Sequence, residues 1–164
     1  MRAMRDTRAR ALLIVQIIVA GIAVGCDAGK NPAESNNDRE ALAKTSVAIR
    51  QGFARDVAAI LTYHHPNVVK ALSFEKTIKG RDALAADLTA TLQQVNLECK
   101  ENRVESIWIQ GDTAVEQTVF VIKGTPKNGN AAFLFKGRVQ VVYVRYKQSP
   151  TGWASIRELV QPAN

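Results

Sequence analysis

Residues 133–147, FLFKGRVQVVYVRYK, decide the fold of this chain. β-branched and aromatic residues dominate the stretch, which is typical of a long β-strand, and Gly137 marks a bend within it. Two further β segments precede it, at 102–110 and 113–123, and another follows at 153–161. Turn residues separate the segments, so the sequence predicts consecutive antiparallel strands.

The part of the chain before these strands has a helical pattern. Asp38 is predicted to cap a first helix, Asp56 a second short helix, and a third helix begins after Gly80. Helices followed by antiparallel strands predict an α+β domain, with three N-terminal helices on one face of a curved sheet. The apolar residues with helical spacing are Leu42, Ile49 and Phe53, with Ser46 among them, in the first helix, and Leu84, Leu88, Leu92 and Val95 in the third.

The long strand is apolar on both faces, which a sheet covered on one side does not require. Val139, Val141 and Tyr143 share one face, and Val142 and Val144 share the other. The second apolar face predicts a partner surface, most simply that of a homodimer. The alternative is that the C-terminal segment folds back over it.

The N-terminus has the pattern of an export signal. Residues 1–10 are basic, residues 11–25 are apolar apart from Gln16, and Cys26 begins a polar stretch. This is typical of a secretory signal peptide. Fifteen helical residues rise only about 22 Å, which is short of the roughly 30 Å hydrocarbon core, so a permanent transmembrane anchor is the weaker alternative.

The stretch from Ala23 to Cys26 resembles the bacterial lipobox, although Ala23 stands where Leu is usual. The resemblance implies lipid on the Cys26 sulfur, cleavage before it, and a location outside the cytoplasm in the cell envelope, on the periplasmic or outer-surface side. The alternative is ordinary cleavage, which would give a soluble secreted domain. We therefore expect a lipoprotein signal peptide at 1–25, a flexible tether at 26–37 and one domain at 38–164.

Composition and motifs exclude several function classes. The net charge is +7, but no basic run interleaves with aromatic residues, so nucleic acid is not an expected partner. No phosphate loop, catalytic triad or Cys/His cluster is present in the sequence, so we expect no metal and no cofactor. The two cysteines, Cys26 and Cys99, could pair in an oxidising compartment, but a lipidated Cys26 would leave Cys99 as a lone thiol.

Several short motifs together resemble one superfamily. They are GFARD at 52–56, KGRDAL at 79–84, GDTA at 111–114, and GWASI at 152–156 with QPA at 161–163. In this order, across most of the domain, the chain is similar to the nuclear transport factor 2-like superfamily, in its SnoaL-like branch. The resemblance implies a cone made of a bent antiparallel sheet and three helices, enclosing a pocket. Members include steroid isomerases, polyketide cyclases and dehydratases, so the fold does not define the function.

Steroid isomerase chemistry needs a carboxylate base that moves a proton and acidic hydrogen-bond donors that stabilise the oxyanion. Aligned to the family, Ser46 stands at the tyrosine donor, residues 71–73 at the base and Val142 at the acidic donor. None carries the required group, so isomerase activity is not expected. The alignment also turns the Val142 face, with Arg138 and Gln140, towards the pocket.

Two functions remain open. The first is a membrane-tethered module that binds a small apolar ligand or a protein. The second is a cyclase or dehydratase-type enzyme acting on a small carbonyl compound, with a histidine as base and Tyr63 or Arg138 polarising the carbonyl. The candidate ligand-binding residues are Tyr63, His64, His65, Trp108, Gln117, Arg138, Gln140 and Glu158.

Overall fold

A computed structural model describes residues 32–53 and 56–163 of the chain. Three helices and six strands make up these residues, with two strands preceding the third helix. Their order is α1 (Pro32–Gly52), α2 (Val57–Leu61), β1 (His64–Ala71), β2 (Thr77–Lys79), α3 (Arg81–Gln94), β3 (Val95–Gln110), β4 (Thr113–Pro126), β5 (Phe133–Arg145) and β6 (Trp153–Pro162).

The six strands form one curved, unclosed sheet in the order β2-β1-β6-β5-β4-β3. Neighbouring strands are antiparallel except β1 and β6, which are parallel, so the sheet is mixed. Irregularities in register interrupt the β3–β4, β5–β6 and β1–β6 pairs, and such bulges bend a strand and increase its twist. The predicted α+β class, with helices against a curved sheet, is confirmed.

The helices cover the inner, concave face of this sheet. One apolar cluster joins Leu42 of α1 to Tyr143 of β5 and Trp153 of β6. A second joins Ile49 of α1 to the two other helices and to β1 and β2. The members of the second cluster that are buried are Ile49, Ile60, Val68, Ile78, Leu84 and Leu88. The predicted apolar faces of the first and third helices are therefore the faces that pack on the sheet.

The first helix begins earlier than the sequence pattern predicted. α1 starts at Pro32, so residues 32–37, predicted to belong to the tether, are helical. Asp38 does not cap the helix; it is buried within it and forms an ion pair with Arg145 of β5. The cap of α2 is confirmed, because the Asp56 carboxylate accepts a hydrogen bond of 2.9 Å from the Ala58 backbone N–H.

Two strands were missed by the sequence analysis. β1 and β2 lie between the second and third helices, where the sequence analysis predicted no strand. The inner positions of β1 alternate apolar and polar residues, His64, Val68 and Lys70, all of them buried. Their polarity conceals the two-residue period by which a half-buried strand is identified.

In the described residues, no helix has the length and apolar composition needed to cross a membrane. The signal peptide of residues 1–25, Cys26 and the remaining tether to residue 31 lie outside the described residues.

Candidate functional site

Charged side chains form a row across the inner face of the sheet. Glu116 of β4 pairs in register with Val141 of β5, which pairs with Glu158 of β6. Glu158 pairs in turn with Lys70 of β1. Residues directly opposite in neighbouring strands present their side chains on the same face. Two carboxylates and an ammonium thus lie on the face of the sheet that the helices cover.

His64 lies at one end of this row and is completely buried. Its Nδ1 is 2.9 Å from the Ile60 carbonyl oxygen, which can only accept a hydrogen bond, so Nδ1 carries the ring proton in the neutral imidazole. Its Nε2 is 3.4 Å from Glu158 Oε1 and makes no hydrogen bond with any described residue. Burial, followed by the charge of Lys70, lowers the pKa of His64. Burial thus favours the neutral imidazole, whose Nε2 is enclosed beside the Glu158 carboxylate.

Glu158 is held as a carboxylate despite its burial. Lys70 Nζ is 2.9 Å from its Oε2, and the Ser155 hydroxyl donates to its Oε1 at 2.9 Å. Burial alone would raise the pKa of this carboxyl group, but the Lys70 ammonium outweighs it and holds the pKa far below the usual range. A buried acid next to a buried base is an arrangement found at functional sites.

Glu116 forms a second buried polar cluster on the same face. Its Oε1 accepts hydrogen bonds from the Ser46 hydroxyl at 3.2 Å and from the Thr118 hydroxyl at 2.9 Å. Its Oε2 is buried and has no partner among residues 32–53 and 56–163. Arg50 Nη1 donates to Ser46 Oγ at 2.7 Å, so α1 contributes a cation to the cluster.

Tyr143 connects the two clusters. Its side chain is almost completely buried, and its hydroxyl group interacts with Ser46. Burial, with the negative charges of Glu116 and Glu158, raises the pKa of the phenol well above its ordinary value. The phenol stays protonated at physiological pH and lies within the field of both carboxylates.

The state of His64 gives a testable pH dependence. Because its folded pKa is depressed, the unfolded chain binds more protons below about pH 6.5, and the free energy of unfolding decreases as pH falls from there towards the folded pKa. We expect His64→Gln to reduce this slope by up to about 1.4 kcal/mol per pH unit. Urea unfolding between pH 5 and 8 measures it, with His65→Gln as the matched control. An unchanged slope in His64→Gln would contradict a neutral buried His64.

The adjacent histidines have different environments. His64 faces the interior, whereas His65 is half-buried and packs edge-on against Tyr146, with ring centroids 5.0 Å apart. His65 Nδ1 accepts a hydrogen bond of 3.1 Å from the Asn67 backbone N–H. Tyr63 is half-buried and packs against the second apolar cluster. Of these three predicted residues, the structure brings only His64 into contact with Glu158.

Four other predicted residues lie on the outer, convex face of the sheet. The expectation that Arg138 and Gln140 face the interior is wrong, because Val139, Val141 and Tyr143 occupy the inner face of β5 and strand side chains alternate. Val142 is therefore also on the outer face. Gln117, Arg138 and Gln140 line an open groove of about 540 Å³ with Leu159 and Phe74. Trp108 is 53% exposed and lies opposite Val115.

The geometry also corrects the roles considered for the enzyme hypothesis. Arg138 forms two hydrogen bonds with Glu105 on the outer face, at 2.7 and 3.2 Å, so it cannot polarise a carbonyl beside His64.

The interior residues that the sequence analysis missed as site residues are Glu116, Lys70, Tyr143 and Ser155. Glu116 was detectable, because it shares a strand face with Ala114, Thr118 and Phe120 and an acid at such a position is either paired or functional.

The described residues contain no group of three or more His, Cys, Asp or Glu side chains that could hold a metal ion. Cys99 is a half-buried free thiol near the edge of the sheet.

Comparison with solved structures establishes the fold. A conserved protein from Planctomyces limnophilus superimposes with a TM-score of 0.70 at 21% identity, covering 78% of this chain and 99% of the other. A ketosteroid isomerase-like protein from Erwinia carotovora superimposes with a TM-score of 0.62 at 16% identity, covering 79% of this chain and 98% of the other. A nuclear transport factor 2-like superfamily protein from Salmonella enterica superimposes with a TM-score of 0.65 at 13% identity, covering 80% of this chain and 94% of the other.

The fold is the nuclear transport factor 2-like cone. The sequence itself matches no protein-family model and no curated protein. At these identities the structural likeness describes the architecture alone, so the function has to be argued from the interior of the cone.

Proposed function

We propose that this protein is a cell-envelope domain, tethered by lipid on Cys26, that binds a small ligand in the polar interior of its cone. The carrying observation is that two buried polar atoms of the interior, His64 Nε2 and Glu116 Oε2, have no hydrogen-bond partner among the described residues. Buried polar atoms are satisfied in more than about 90% of cases, and an exception in a polar interior is one mark of a site that completes its bonding with water, an ion or a ligand. The charged groups around them make a wholly apolar ligand, as expected from the sequence, a poor fit.

The two histidines provide the test of ligand binding. The chain contains only His64 and His65, so imidazole ¹⁵N resonances of the full chain in detergent can be assigned with one His65→Gln variant. A panel of small amines, alcohols, ketones and carboxylates would be titrated. We expect at least one class to shift the His64 resonances to saturation while His65 stays constant. If every class leaves His64 unchanged, the proposed interior site does not exist.

The lipid tether requires its own experiment. We expect Cys26→Ser to remain an unlipidated, uncleaved precursor, because only the thiol accepts the diacylglycerol and processing depends on it. Metabolic labelling with a radioactive fatty acid in a bacterial host, with membrane fractionation, measures both effects. Cys99→Ser is the matched control and should label normally. Equal labelling of Cys26→Ser and the unchanged protein would disprove the tether.

A proton-transfer enzyme is the second candidate function. It is favoured by His64, whose Nδ1 proton is fixed by Ile60 and whose Nε2, without a hydrogen bond to the described residues, can accept a proton from a substrate. This corresponds to the cyclase or dehydratase-type alternative, acting on a small carbonyl compound without Arg138. In D₂O, such an enzyme would exchange deuterium at the carbon next to the carbonyl, and His64→Gln would lower the rate by about 10²–10⁴-fold. Exchange at the uncatalysed rate would remove this candidate.

The outer face of the sheet is a proposed homodimer surface. Trp108, Val115 and Val142 lie side by side across β3, β4 and β5 and are partly or mainly exposed. We expect Val142→Asp to raise the dimer dissociation constant at least about 100-fold, because two carboxylates would face each other across an isologous contact. Sedimentation equilibrium measures it. Val47→Asp, at an exposed valine of α1, is the control, and equal dissociation in both variants would refute the surface.

A further inference from the structure

The turn between β1 and β2 presents a phenylalanine to solvent. Phe74 is 100% exposed, more than any other large apolar side chain of the described residues. Hydrogen bonds hold the turn in place. The Lys76 backbone N–H donates to the Ser73 hydroxyl at 3.1 Å, and the Leu72 N–H donates to the Lys76 carbonyl oxygen at 2.9 Å. An aromatic ring gains free energy when it leaves water, and this one is not buried by its own chain.

Phe74 borders the open groove on the outer face of the sheet. The groove has a volume of about 540 Å³ and extends across three neighbouring strands. Gln117 of β4 pairs in register with Gln140 of β5, which pairs with Leu159 of β6. Leu159 is 61% exposed, so the groove has apolar surface open to solvent. One chain thus carries a projecting aromatic ring and, beside it, a depression with an apolar wall.

The groove has no uncompensated charge. Arg138 is the one charged residue among the described residues that line it, and Glu105 accepts hydrogen bonds from its Nε and Nη2 at 2.7 and 3.2 Å. Two copies of the chain can therefore meet at this groove without repulsion between like charges. An acidic or a basic partner would find no free counter-charge there.

The polar side chains of the groove are complementary to themselves. Gln117 and Gln140 lie side by side, and Gln161 adds a third amide. A carboxamide has both donors and an acceptor, so it can bond another carboxamide in either direction. The groove also continues into the proposed homodimer surface, because Val142 follows Gln140 by two residues on the same face of β5. These features favour a second copy of the chain as the occupant of the groove.

We infer that Phe74 of each protomer inserts into the outer groove of a second copy and packs on the partner's Leu159. This inference rests on the proposed homodimer surface and names the contact that anchors it. In a twofold dimer each protomer supplies one ring and one groove, so the contact occurs twice. Aromatic side chains that fill a pocket of the partner contribute most of the binding energy of such interfaces.

Complementation between two variants of the full chain in detergent tests the contact. Phe74→Ala removes the ring, and Leu159→Glu places a charge in the groove. Each should raise the dimer dissociation constant at least about 100-fold in sedimentation equilibrium, because each homodimer loses both contacts. In an equimolar mixture, the Leu159→Glu protomer still has a ring for the intact groove of the Phe74→Ala protomer. The mixture should therefore have a higher average mass than either variant alone at the same total concentration.

The matched control is Phe133→Ala, which removes a phenylalanine that is 46% exposed and lies on the inner-face side of β5. We expect this variant to keep the dimer dissociation constant of the unchanged protein. Because Phe74 and Leu159 are exposed, both test variants should fold, which circular dichroism verifies. Should Leu159→Glu not fold, Gln140→Lys places a charge in the same groove and replaces it in the mixture.

The outcomes separate this contact from the homodimer surface. If either test variant dimerises like the unchanged protein, the groove contact is overturned while the surface around Val142 stands. If each variant dissociates but the mixture gains no mass, Phe74 does not reach the partner's groove and the inference is again overturned. If the unchanged protein is a monomer at every concentration reached, the surface and the contact both fail.

Discussion

Replacing Glu158 with alanine should lower the free energy of unfolding by about 3–5 kcal/mol. Lys70 and Glu158 form an ion pair at 2.9 Å, with side chains only 11% exposed each. Removing the carboxylate leaves the Lys70 ammonium buried with no counter-charge, and the Ser155 hydroxyl loses its acceptor. Each of these losses has the desolvation cost of an unsatisfied buried group. Urea unfolding at pH 7, followed by circular dichroism, measures the change.

A double variant distinguishes the ion pair from simple packing. Lys70→Met with Glu158→Leu replaces both charges by apolar side chains of similar volume, which is often neutral or stabilising when a buried pair is removed together. We expect the double variant to regain most of the stability lost in Glu158→Ala. If the double variant is as unstable as the single one, the row of charges is not responsible for the loss.

Acid should weaken the protein through the same group. The pKa of Glu158 is depressed in the folded state, so its contribution to stability is complete above the unfolded pKa of about 4.3 and is lost as pH falls towards the folded pKa. The depressed pKa of His64 acts in the same direction at higher pH, since only the unfolded chain takes up the proton near pH 6.5. The two groups together make the fold more stable at neutral pH than in acid.

The sequence predicted the architecture because apolar periodicity and turn chemistry are local signals. The long strand at 133–147 and the cap at Asp56 were read from their own residues, and both are present. The start of α1 was not predicted, because Asp38 resembles a cap in sequence but is bonded to Arg145, far along the chain. A contact between distant residues leaves no local pattern.

The candidate site was only partly predictable for a related physical reason. His64 and Glu158 were named, but their neighbour Lys70 lies on a strand whose polar inner positions conceal its period. The orientation of β5 was taken from an alignment that turned Arg138 and Gln140 inward. The alternation of the strand itself indicated the correct orientation, because Val139, Val141 and Tyr143 form its more apolar face.

Trp153 is the other residue whose replacement should have a large effect. Its ring is completely buried in the cluster that joins α1 to β5 and β6. The Arg145 guanidinium lies 4.2 Å from the ring centroid and is held in turn by Asp38 of α1. We expect Trp153→Ala to lower the free energy of unfolding by about 3–5 kcal/mol, from lost burial and the cavity that remains.

Two further variants make this expectation specific. Trp153→Phe keeps an aromatic face for Arg145 and removes an indole N–H that is buried without a partner in the described part of the chain. We expect Trp153→Phe to lower the free energy of unfolding by less than half as much as Trp153→Ala, because the phenyl ring leaves a smaller cavity than alanine does. Trp108→Ala, at a residue 53% exposed on the outer face, should cost less than about 1 kcal/mol in the monomer. Equal losses at Trp108 and Trp153 in urea unfolding would mean that Trp153 does not anchor α1 to the sheet.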